Sequence, residues 1–373
     1  MNIGVDIRSL MDSNRTGVGE YTYELLNALF KIDKENQYFL FYNSNKDVSQ
    51  NIPKWKQENV NYIGFSWPNK LLNIFLLFFK FPRIDKIINK KLDYFFSPNI
   101  NFLSLSKDVK HILTIHDLSF EYFPDCLSRK RRLWHKILNP KKACEKADII
   151  ITPSENTKRD VIDRYGISGE KIKKIYPGLS SVFGEENNFG DEEIRNKYKL
   201  PKNFILFLGT IEPRKNIIGS IEAFIDIYSN LPDYYQLVIA GSKGWEFEPI
   251  INLIDKHDRI KYIGYVNAQE KSKLYGLADL FIYPSLYEGF GFPVLEAMFS
   301  GTPVLTSNRS SLPEIVGDCA YMVNPNNIDE IARGIELVLK DKGLSKFFAE
   351  KGRQRSDYFT WSKAAREFIE ILK

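Results

Sequence analysis

Residues 280–296 read Leu280-Phe-Ile-Tyr-Pro-Ser-Leu-Tyr-Glu288-Gly-Phe-Gly-Phe-Pro-Val-Leu-Glu296. The opening run, Leu280–Tyr283, is short and apolar, which is typical of a buried strand in a parallel sheet. Pro293 suits the first turn of a helix, and we expect that helix over Val294–Ser300. A strand, a glycine-containing loop and a helix in this order form a βα unit, and such units build parallel sheets covered by helices.

The same alternation extends over the chain in both directions. The expected strands of the second half are Phe204–Gly209, Gln236–Ala240, Ile260–Gly264, Leu280–Tyr283, Pro303–Thr306 and Tyr321–Val323. Those of the first half are Ile3–Arg8, Tyr38–Asn43, Asn61–Phe65, Tyr94–Ser97, His111–His116 and Asp148–Thr152. Helical patterns fall at Glu20–Asp33, Arg129–Lys146, Glu155–Tyr165, Asp191–Tyr198, Ile217–Ser229, Gln269–Leu277, Val294–Ser300 and Asp329–Lys340.

The segment Tyr176–Pro201 divides the two halves. It is rich in Gly, Asn, Asp and Glu and has no apolar period apart from one short helical pattern. A length of 373 residues also favours two domains. We therefore predict an α/β protein with two Rossmann-like parallel-sheet domains around a central cleft. Their boundaries are residues 1–177 and 178–357, followed by a C-terminal helix over 358–373.

Composition narrows the class of protein. The net charge is +5, from 52 basic and 47 acidic residues, which is weak evidence for nucleic-acid binding and suits an anionic ligand or membrane surface. The three cysteines have no metal-site or redox spacing. The N-terminus lacks the pattern of a signal peptide. The apolar stretch Leu71–Phe81 contains Lys80 and is far shorter than the roughly 20 residues that span a bilayer. We expect a cytoplasmic protein.

Two candidate ligand positions lie in the first half. Gly17 and Gly19 follow the first strand and precede the helix predicted at Glu20, so a phosphate could approach the backbone there, although such glycines also form plain turns. His116 ends a predicted strand, where it could donate a hydrogen bond to a sugar hydroxyl or to a developing charge. A structural histidine bonded to Asp117 is the alternative.

Two further constellations lie in the second half. Arg214 and Lys215 follow the strand Phe204–Gly209, where adjacent cations suit a diphosphate or form a solvated pair. Glu288 and Glu296 are separated by seven residues, which contain a glycine turn and a helix start. An anion can bind at that helix start, and a carboxylate one turn into the helix can accept the hydroxyls of a ribose. The alternative is two surface glutamates.

These residues carry a resemblance to retaining GT-B glycosyltransferases of family 4. The resemblance covers nearly the whole chain and is strongest from Phe204 to Pro325. It rests on the two glutamates, on Pro213-Arg-Lys-Asn216, on Gly301-Thr-Pro-Val-Leu305 and on Pro313-Glu314. The first domain resembles the family more loosely, through the glycine loop, His116 and Ser154-Glu-Asn-Thr157.

The resemblance implies roles for individual positions. Arg214 and Lys215 would bind the donor diphosphate, Glu288 would contact the transferred sugar, and Glu296 would hold the ribose. His116, as a catalytic residue with Glu288, Arg214 and Lys215, would reach the sugar from the facing domain. Gly17 and Gly19 would line the phosphate or acceptor side, and the last helix would return to the first domain. Further donor contacts are expected at Gly264, Tyr265, Val266, Phe290, Gly291, Phe292, Val294 and Leu295.

One departure separates this sequence from many family members, which have Arg where this chain has Thr210. The pattern Glu212-Pro-Arg-Lys-Asn216 resembles a branch rich in mannosyltransferases, which favours GDP-mannose as the donor. The family requires no metal or cofactor and retains the anomeric configuration, and with no evident enzyme nucleophile we expect same-face attack. The implied function is transfer of a hexose to a glycan or lipid-linked saccharide in bacterial surface polysaccharide synthesis.

The first domain adds an expectation about membranes. Leu71–Phe81 is densely aromatic, and the helical pattern around Arg129-Lys-Arg-Arg132 is basic and includes Trp134. Together they indicate a patch that binds an anionic membrane, peripherally on its inner face, or else a core helix and a solvated charged face.

Other functions remain open at this point. They are a transferase that uses a UDP-sugar for glucosyl or N-acetylglucosaminyl transfer and a non-catalytic nucleotide-sugar-binding protein. Two other GT-B enzymes are disfavoured: a pyridoxal-type phosphorylase needs a Schiff-base lysine site and a much longer chain, and an epimerase lacks the loop with the two glutamates. A nucleic-acid-binding protein is disfavoured by the intact donor motifs. A dinucleotide oxidoreductase is excluded because no Gly-x-Gly-x-x-Gly follows the first strand.

Overall fold

The computed structural model describes residues 1–12, 17–184, 189–231 and 235–373. Its strands are β1 (Asn2–Asp6), β2 (Gln37–Asn43), β3 (Val60–Phe65), β4 (Tyr94–Ser97), β5 (Lys110–Thr114), β6 (Ile149–Thr152), β7 (Ile172–Lys174), β8 (Asn203–Leu208), β9 (Tyr235–Ala240), β10 (Ile260–Gly264), β11 (Leu280–Tyr283), β12 (Val304–Ser307) and β13 (Tyr321–Val323). Part of the predicted linker, residues 185–188, lies outside the described residues.

The α-helices cover the sheets and connect the strands. They are α1 (Gly17–Ile32), α2 (Asn69–Phe78), α3 (Ile84–Ile88), α4 (Ser119–Tyr122), α5 (Arg129–Leu138), α6 (Pro140–Lys146), α7 (Glu155–Tyr165), α8 (Asp191–Tyr198), α9 (Ile217–Ile227), α10 (Glu248–Ile254), α11 (Ala268–Gly276), α12 (Phe292–Phe299), α13 (Leu312–Val316), α14 (Ile328–Lys340), α15 (Lys342–Ser356) and α16 (Trp361–Leu372). Among the described residues, none of these helices is long and apolar enough to cross a bilayer.

The chain forms two compact units, each assembled from separate stretches. The first contains Met1–Leu118, Lys130–Gly178 and Thr360–Lys373, and the second contains Ser119–Arg129 and Leu179–Phe359. The segment Ser119–Arg129 thus groups with the second unit, although the predicted boundaries placed it with residues 1–177. Its grouping depends on contacts that no compositional signal in the sequence marks.

The first unit is built on a seven-stranded parallel sheet in the order β3-β2-β1-β4-β5-β6-β7. Apolar side chains of β1 and β4, such as Ile3 and Phe96, are buried, because helices cover the sheet on its faces. The C-terminal helix α16 packs here, with the rings of Phe368 and Phe96 4.7 Å apart.

The second unit contains a six-stranded parallel sheet in the order β10-β9-β8-β11-β12-β13. Strands β8 and β9 pair over their whole length, from Asn203–Tyr235 to Leu208–Ala240. Almost every side chain of β8 is fully buried, which explains its nearly continuous apolar sequence. The prediction of two α/β parallel-sheet domains is therefore confirmed.

The strand order reverses at the centre of each sheet. The reversal lies between β1 and β4 in the first unit and between β8 and β11 in the second. In open α/β sheets, ligands bind beyond the carboxyl ends of the strands at such a reversal, because the connecting loops diverge there and leave a crevice. The loops after these four strands are therefore the places where a site is expected.

Several predicted element boundaries differ from the structure. Helix α1 begins at Gly17, so Gly17 and Gly19 lie in its first turn rather than in a loop that ends at Glu20. Strand β1 ends at Asp6, and a 3₁₀ turn follows over Arg8–Leu10. Strand β7 and helices α3, α4, α10, α13 and α15 were not predicted, because their sequences are short or largely polar.

Candidate active site

The strongest sequence constellations converge at the strand reversal of the second unit. Arg214 and Lys215 occupy a 3₁₀ turn, Pro213–Lys215, in the connection after β8. Glu288 lies in the loop after β11, the strand that neighbours β8 in the sheet. The structure therefore brings together two cations and a carboxylate that are more than 70 residues apart in the chain.

Glu288 is the buried centre of this cluster. Only 6% of it is exposed, and its Oε1 accepts hydrogen bonds from Lys215 Nζ at 2.6 Å and from Ser285 Oγ at 2.8 Å. Arg214 lies 3.4 Å from its Oε2. Burial alone would raise the pKa of Glu288, but the two cations and these hydrogen bonds lower it to about 2. The carboxylate is thus ionised at neutral pH.

Arg214 and Lys215 are held in place by several contacts. The Arg214 guanidinium donates to the Tyr287 carbonyl at 2.6 Å and to Glu212 at 2.9 Å. Burial and the neighbouring Arg214 lower the pKa of Lys215, while Glu288 opposes that change. Glu212 and Ser285 also contribute to the cluster, and neither was predicted, although both lie next to the residues that carry the family resemblance.

The glycine loop after Glu288 is fixed by unusual backbone geometry. Gly291 caps α12 at φ 116°, a conformation that L side chains rarely adopt. A Cβ at this position would lie only 2.7 Å from Leu312 Cδ2. The Ser311 hydroxyl donates to the Phe290 carbonyl at 2.6 Å, so the far side of the loop is also tied down.

The start of α12 offers fewer free amides than predicted. The N–H groups of Val294 and Leu295 donate to the Gly291 carbonyl at 3.1 and 3.2 Å, and Pro293 has no N–H. Within the part of the chain that the structure describes, the N–H groups of Gly291 and Phe292 have no acceptor. An anion would therefore meet these two amides, whereas the amides of Val294 and Leu295 serve the helix, and the contact of these two residues with the donor stays a prediction.

Glu296 lies one turn into α12 and is also buried. Its Oε2 accepts a hydrogen bond from the Tyr275 hydroxyl at 3.0 Å, and Lys271 Nζ is 3.8 Å away. Both partners come from α11, which the sequence predicted as a helix without assigning a role to either residue. These contacts orient a carboxylate that retains acceptor capacity for hydroxyl groups.

The remaining predicted positions of the second unit lie near its strand reversal or at the end of β10. Phe290 is buried, with its ring 5.1 Å from that of Phe292. Gly264 ends β10 at φ 78°, and the following Tyr265 is 69% exposed whereas Val266 is buried. An exposed aromatic ring after a parallel strand can stack on a nucleobase.

The segment Ser119–Arg129 adds aromatic contacts that the sequence analysis missed. The rings of Tyr122 and Phe123 lie 5.6 and 5.8 Å from that of Tyr287, the residue before Glu288. Their packing supports the backbone carbonyl that holds Arg214.

His116 and the two glycines belong to the first unit. His116 Nε2 lies 2.8 Å from the Pro98 carbonyl oxygen, which can only accept, so Nε2 carries the hydrogen. Burial lowers the pKa of His116, so the ring is neutral and its Nδ1 can only accept a hydrogen bond. The predicted role of His116 as a hydrogen-bond donor is corrected to that of an acceptor from a ligand hydroxyl. The placement of His116, Gly17 and Gly19 in a nucleotide-sugar site stays a prediction.

Comparison with known proteins agrees with this geometry. Residues 190–355 match the family described as glycosyl transferases group 1, and residues 15–181 match glycosyltransferase family 4. The chain is 31% identical over 278 residues to O-antigen chain mannosyltransferase B of Escherichia coli. The aligned region covers 73% of this chain and 72% of that relative.

Two further similarities extend the comparison. The chain is 34% identical over 237 residues to the serotype-specific mannosyltransferase WbdA of Escherichia coli, covering 61% of this chain but only 29% of WbdA. The solved sucrose-phosphate synthase of Thermosynechococcus elongatus shares the fold with a TM-score of 0.72 at 20% identity, over 100% of this chain and 98% of that one. With its two α/β units, its paired glutamates and these matches, the chain belongs to the family 4 glycosyltransferases of the GT-B fold.

Proposed function

We propose that this glycosyltransferase moves a mannosyl residue from GDP-mannose to a saccharide acceptor, with retention of configuration and without a metal ion, in the synthesis of a bacterial surface polysaccharide. The buried cluster of Arg214, Lys215 and Glu288 carries the proposal, because it combines diphosphate-binding cations with an ionised carboxylate. The choice of mannose rests on the similarity to mannosyltransferases.

The donor diphosphate would lie against Arg214, Lys215 and the free amides of Gly291 and Phe292. These groups carry positive charge or partial positive charge, so they would stabilise the nucleoside diphosphate as it departs. The two cations supply the charge that a divalent metal supplies in other transferases, which supports a metal-independent reaction. Glu296 would accept the hydroxyls of the ribose.

Glu288 would act on the transferred sugar. Its carboxylate is ionised but engaged by Lys215 and Arg214, so it is suited to stabilise positive charge near the anomeric carbon and less suited to attack it. The acceptor hydroxyl would then enter on the face that the leaving group departs from. This arrangement gives retention without a glycosyl-enzyme intermediate.

The saccharide acceptor would occupy a cavity at the strand reversal of the first unit. This cavity of about 230 Å³ is lined by Asp6, Arg8, Asn69, Asn73 and Asn99 among others. Arg8 neutralises Asp6 through bonds of 2.8 and 2.6 Å, and within the described residues the side-chain amides of Asn73 and Asn99 have no partner. Uncharged amides that both donate and accept suit the hydroxyls of a sugar.

The enzyme would work at an anionic membrane surface on the cytoplasmic side. Phe78, Phe79 and Phe81 are 71%, 68% and 56% exposed at the end of α2, and Trp134 is exposed on the basic helix α5. Aromatic and basic side chains together bind anionic bilayers. In vesicle flotation, binding to anionic vesicles should weaken when Arg131 and Arg132 are changed to Glu and should not change when Lys54 and Lys56 are changed to Glu. Equal binding by the wild type and both variants would contradict an electrostatic contribution of Arg131 and Arg132 to membrane binding.

The function is tested by donor binding and product analysis. GDP-mannose, among a panel of nucleotide sugars, should raise the melting temperature, and NMR of the product should show an α linkage. Glu288→Ala should abolish transfer in a folded protein, while Glu336→Ala, in a surface pair on α14, should retain it. Stabilisation by UDP-glucose or UDP-N-acetylglucosamine instead of GDP-mannose would show that the proposed donor is wrong. Full turnover by Glu288→Ala would show that the proposed active site is wrong.

A further inference from the structure

The first unit contains a second, larger cavity in addition to the one proposed for the acceptor. It has a volume of about 710 Å³ and lies between α2, residues 100–107 and helices α5 and α6. Its volume falls in the range of pockets that enclose a small molecule. It lies over one face of β4 and β5, where it is lined by Ser97, His111 and Leu113.

The wall of this cavity is mainly apolar. Leu76 and Leu77 of α2, Leu103 and Leu105 of the following loop, and Leu138 of α5 line it. His111 does not add charge, because burial lowers its pKa to about 4, and its Nε2 is 2.9 Å from the Ser97 hydroxyl. A hydrocarbon chain is the kind of ligand that such a wall favours.

Besides the carboxylate Asp148, four exposed lysines line the cavity and give its lining a net positive charge. They are Lys80, Lys107, Lys142 and Lys146. In the described part of the chain none of them forms an ion pair with a carboxylate. Burial and the charges of Lys80 and Lys142 lower the pKa of Lys146, so the ammonium group of Lys146 is affected by both of the other charges.

The lysines stand next to the most exposed apolar side chains of the unit. Lys80 lies between Phe79 and Phe81, which are both exposed, and Ile137 lines the cavity while 44% of it is exposed. The cavity therefore combines an apolar interior with a cationic wall, beside side chains suited to the interface of a bilayer.

We propose that this cavity binds one hydrocarbon chain of an anionic phospholipid, with the lipid phosphate held by Lys80, Lys142 and Lys146. The hydrocarbon chain replaces water along the leucine wall, and the phosphate pairs with three lysines that form no ion pair with the described residues of the protein. Such a lipid anchors the first unit more tightly than the surface patch alone. The inference does not depend on the identity of the sugar donor.

Calorimetric titration with soluble dihexanoyl phosphatidylglycerol tests the proposal, with dihexanoyl phosphatidylcholine as the probe of equal chain length. We expect one phosphatidylglycerol per protein and weaker binding of phosphatidylcholine, and inorganic phosphate alone should not compete. The double variant Lys142→Gln/Lys146→Gln should lose about tenfold in affinity, as expected for a lost charge-assisted contact. Lys136→Gln on α5, outside the cavity lining, is the matched control and should bind normally.

A second variant separates the cavity from the surface. Ala143→Trp places a large side chain in the cavity wall and should abolish binding of the short-chain lipid, while leaving stabilisation by nucleotide sugars unchanged as a check of folding. Unimpaired lipid binding by Ala143→Trp, or equal affinity for both lipids, would overturn the proposal. Failure of GDP-mannose to bind would instead concern only the proposed donor.

Discussion

The pair Lys215–Glu288 gives a quantitative prediction for the stability of the second unit. The pKa of Glu288 falls from 4.5 to about 2. At about 1.4 kcal/mol for each pKa unit, this corresponds to about 3 kcal/mol that favours the ionised carboxylate in the folded protein. Both side chains are about 90% buried, so water screens the pair little.

Lys215 should account for the larger part of this energy. Its Nζ lies 2.6 Å from the carboxylate, whereas Arg214 lies at 3.4 Å and is shared with Glu212. We therefore expect a coupling free energy of about 2 kcal/mol between Lys215 and Glu288. Because the folded-state pKa lies below the unfolded value, this contribution is fully present above pH 4.5 and is lost as the pH falls towards 2.

The coupling is measured by a double-mutant cycle of Lys215→Met and Glu288→Gln at pH 7. Hydrogen exchange of the β8 amides gives the free energy of opening of the second unit in each of the four proteins. The double variant should lose about 2 kcal/mol less of this free energy than the sum of the losses in the two single variants. A coupling below about 0.5 kcal/mol, the usual error of additivity, would refute the reasoning that these charges depend on each other.

Three other predictions concern single positions. Tyr275→Phe removes a hydrogen bond to Glu296, so the KM for the donor should rise about fivefold, the value of one ordinary hydrogen bond, with kcat unchanged; a fall in kcat alone would contradict a role in ribose binding. Gly291→Ala forces a side chain into a left-handed conformation against Leu312 and should cost about 1–3 kcal/mol, visible as a lower melting temperature, and an unchanged melting temperature would argue against the strained loop. His116 is neutral, since its pKa lies below 6.5, so its protonation should not lower kcat/KM between about pH 8 and 6.5. A fall in kcat/KM over this range in the wild type that is absent from His116→Asn would contradict the acceptor role.

The predictions that succeeded from sequence depend on local patterns. Buried strands such as β8 and β11 are continuous apolar runs because helices cover both faces of a parallel sheet. The alternation of such runs with helical patterns was enough to predict both α/β sheets. The loops after these strands were therefore the places to search for Arg214, Lys215 and Glu288.

Predictions that depended on backbone hydrogen bonds were less successful. Whether an amide at the start of α12 is free depends on the capping geometry of Gly291, and the letters of the sequence do not fix that geometry. Val294 and Leu295 were assigned to the donor by the family resemblance, and the structure adds that their amides close the first turn of the helix. The tautomer of His116 likewise depends on its distance from a carbonyl 18 residues away.

The sequence by itself determined the class of fold, most of the strands and the residue types of the candidate site, because these follow from apolar periodicity and from motifs contiguous in the chain. Only the tertiary structure decided which groups are paired. It placed Glu212 and Ser285 beside the cluster, grouped Ser119–Arg129 with the second unit, and brought four exposed lysines and a leucine wall to the lining of one cavity. The physical reason is that burial and charge pairing arise from contacts between residues far apart in the chain, and local sequence patterns do not specify those contacts.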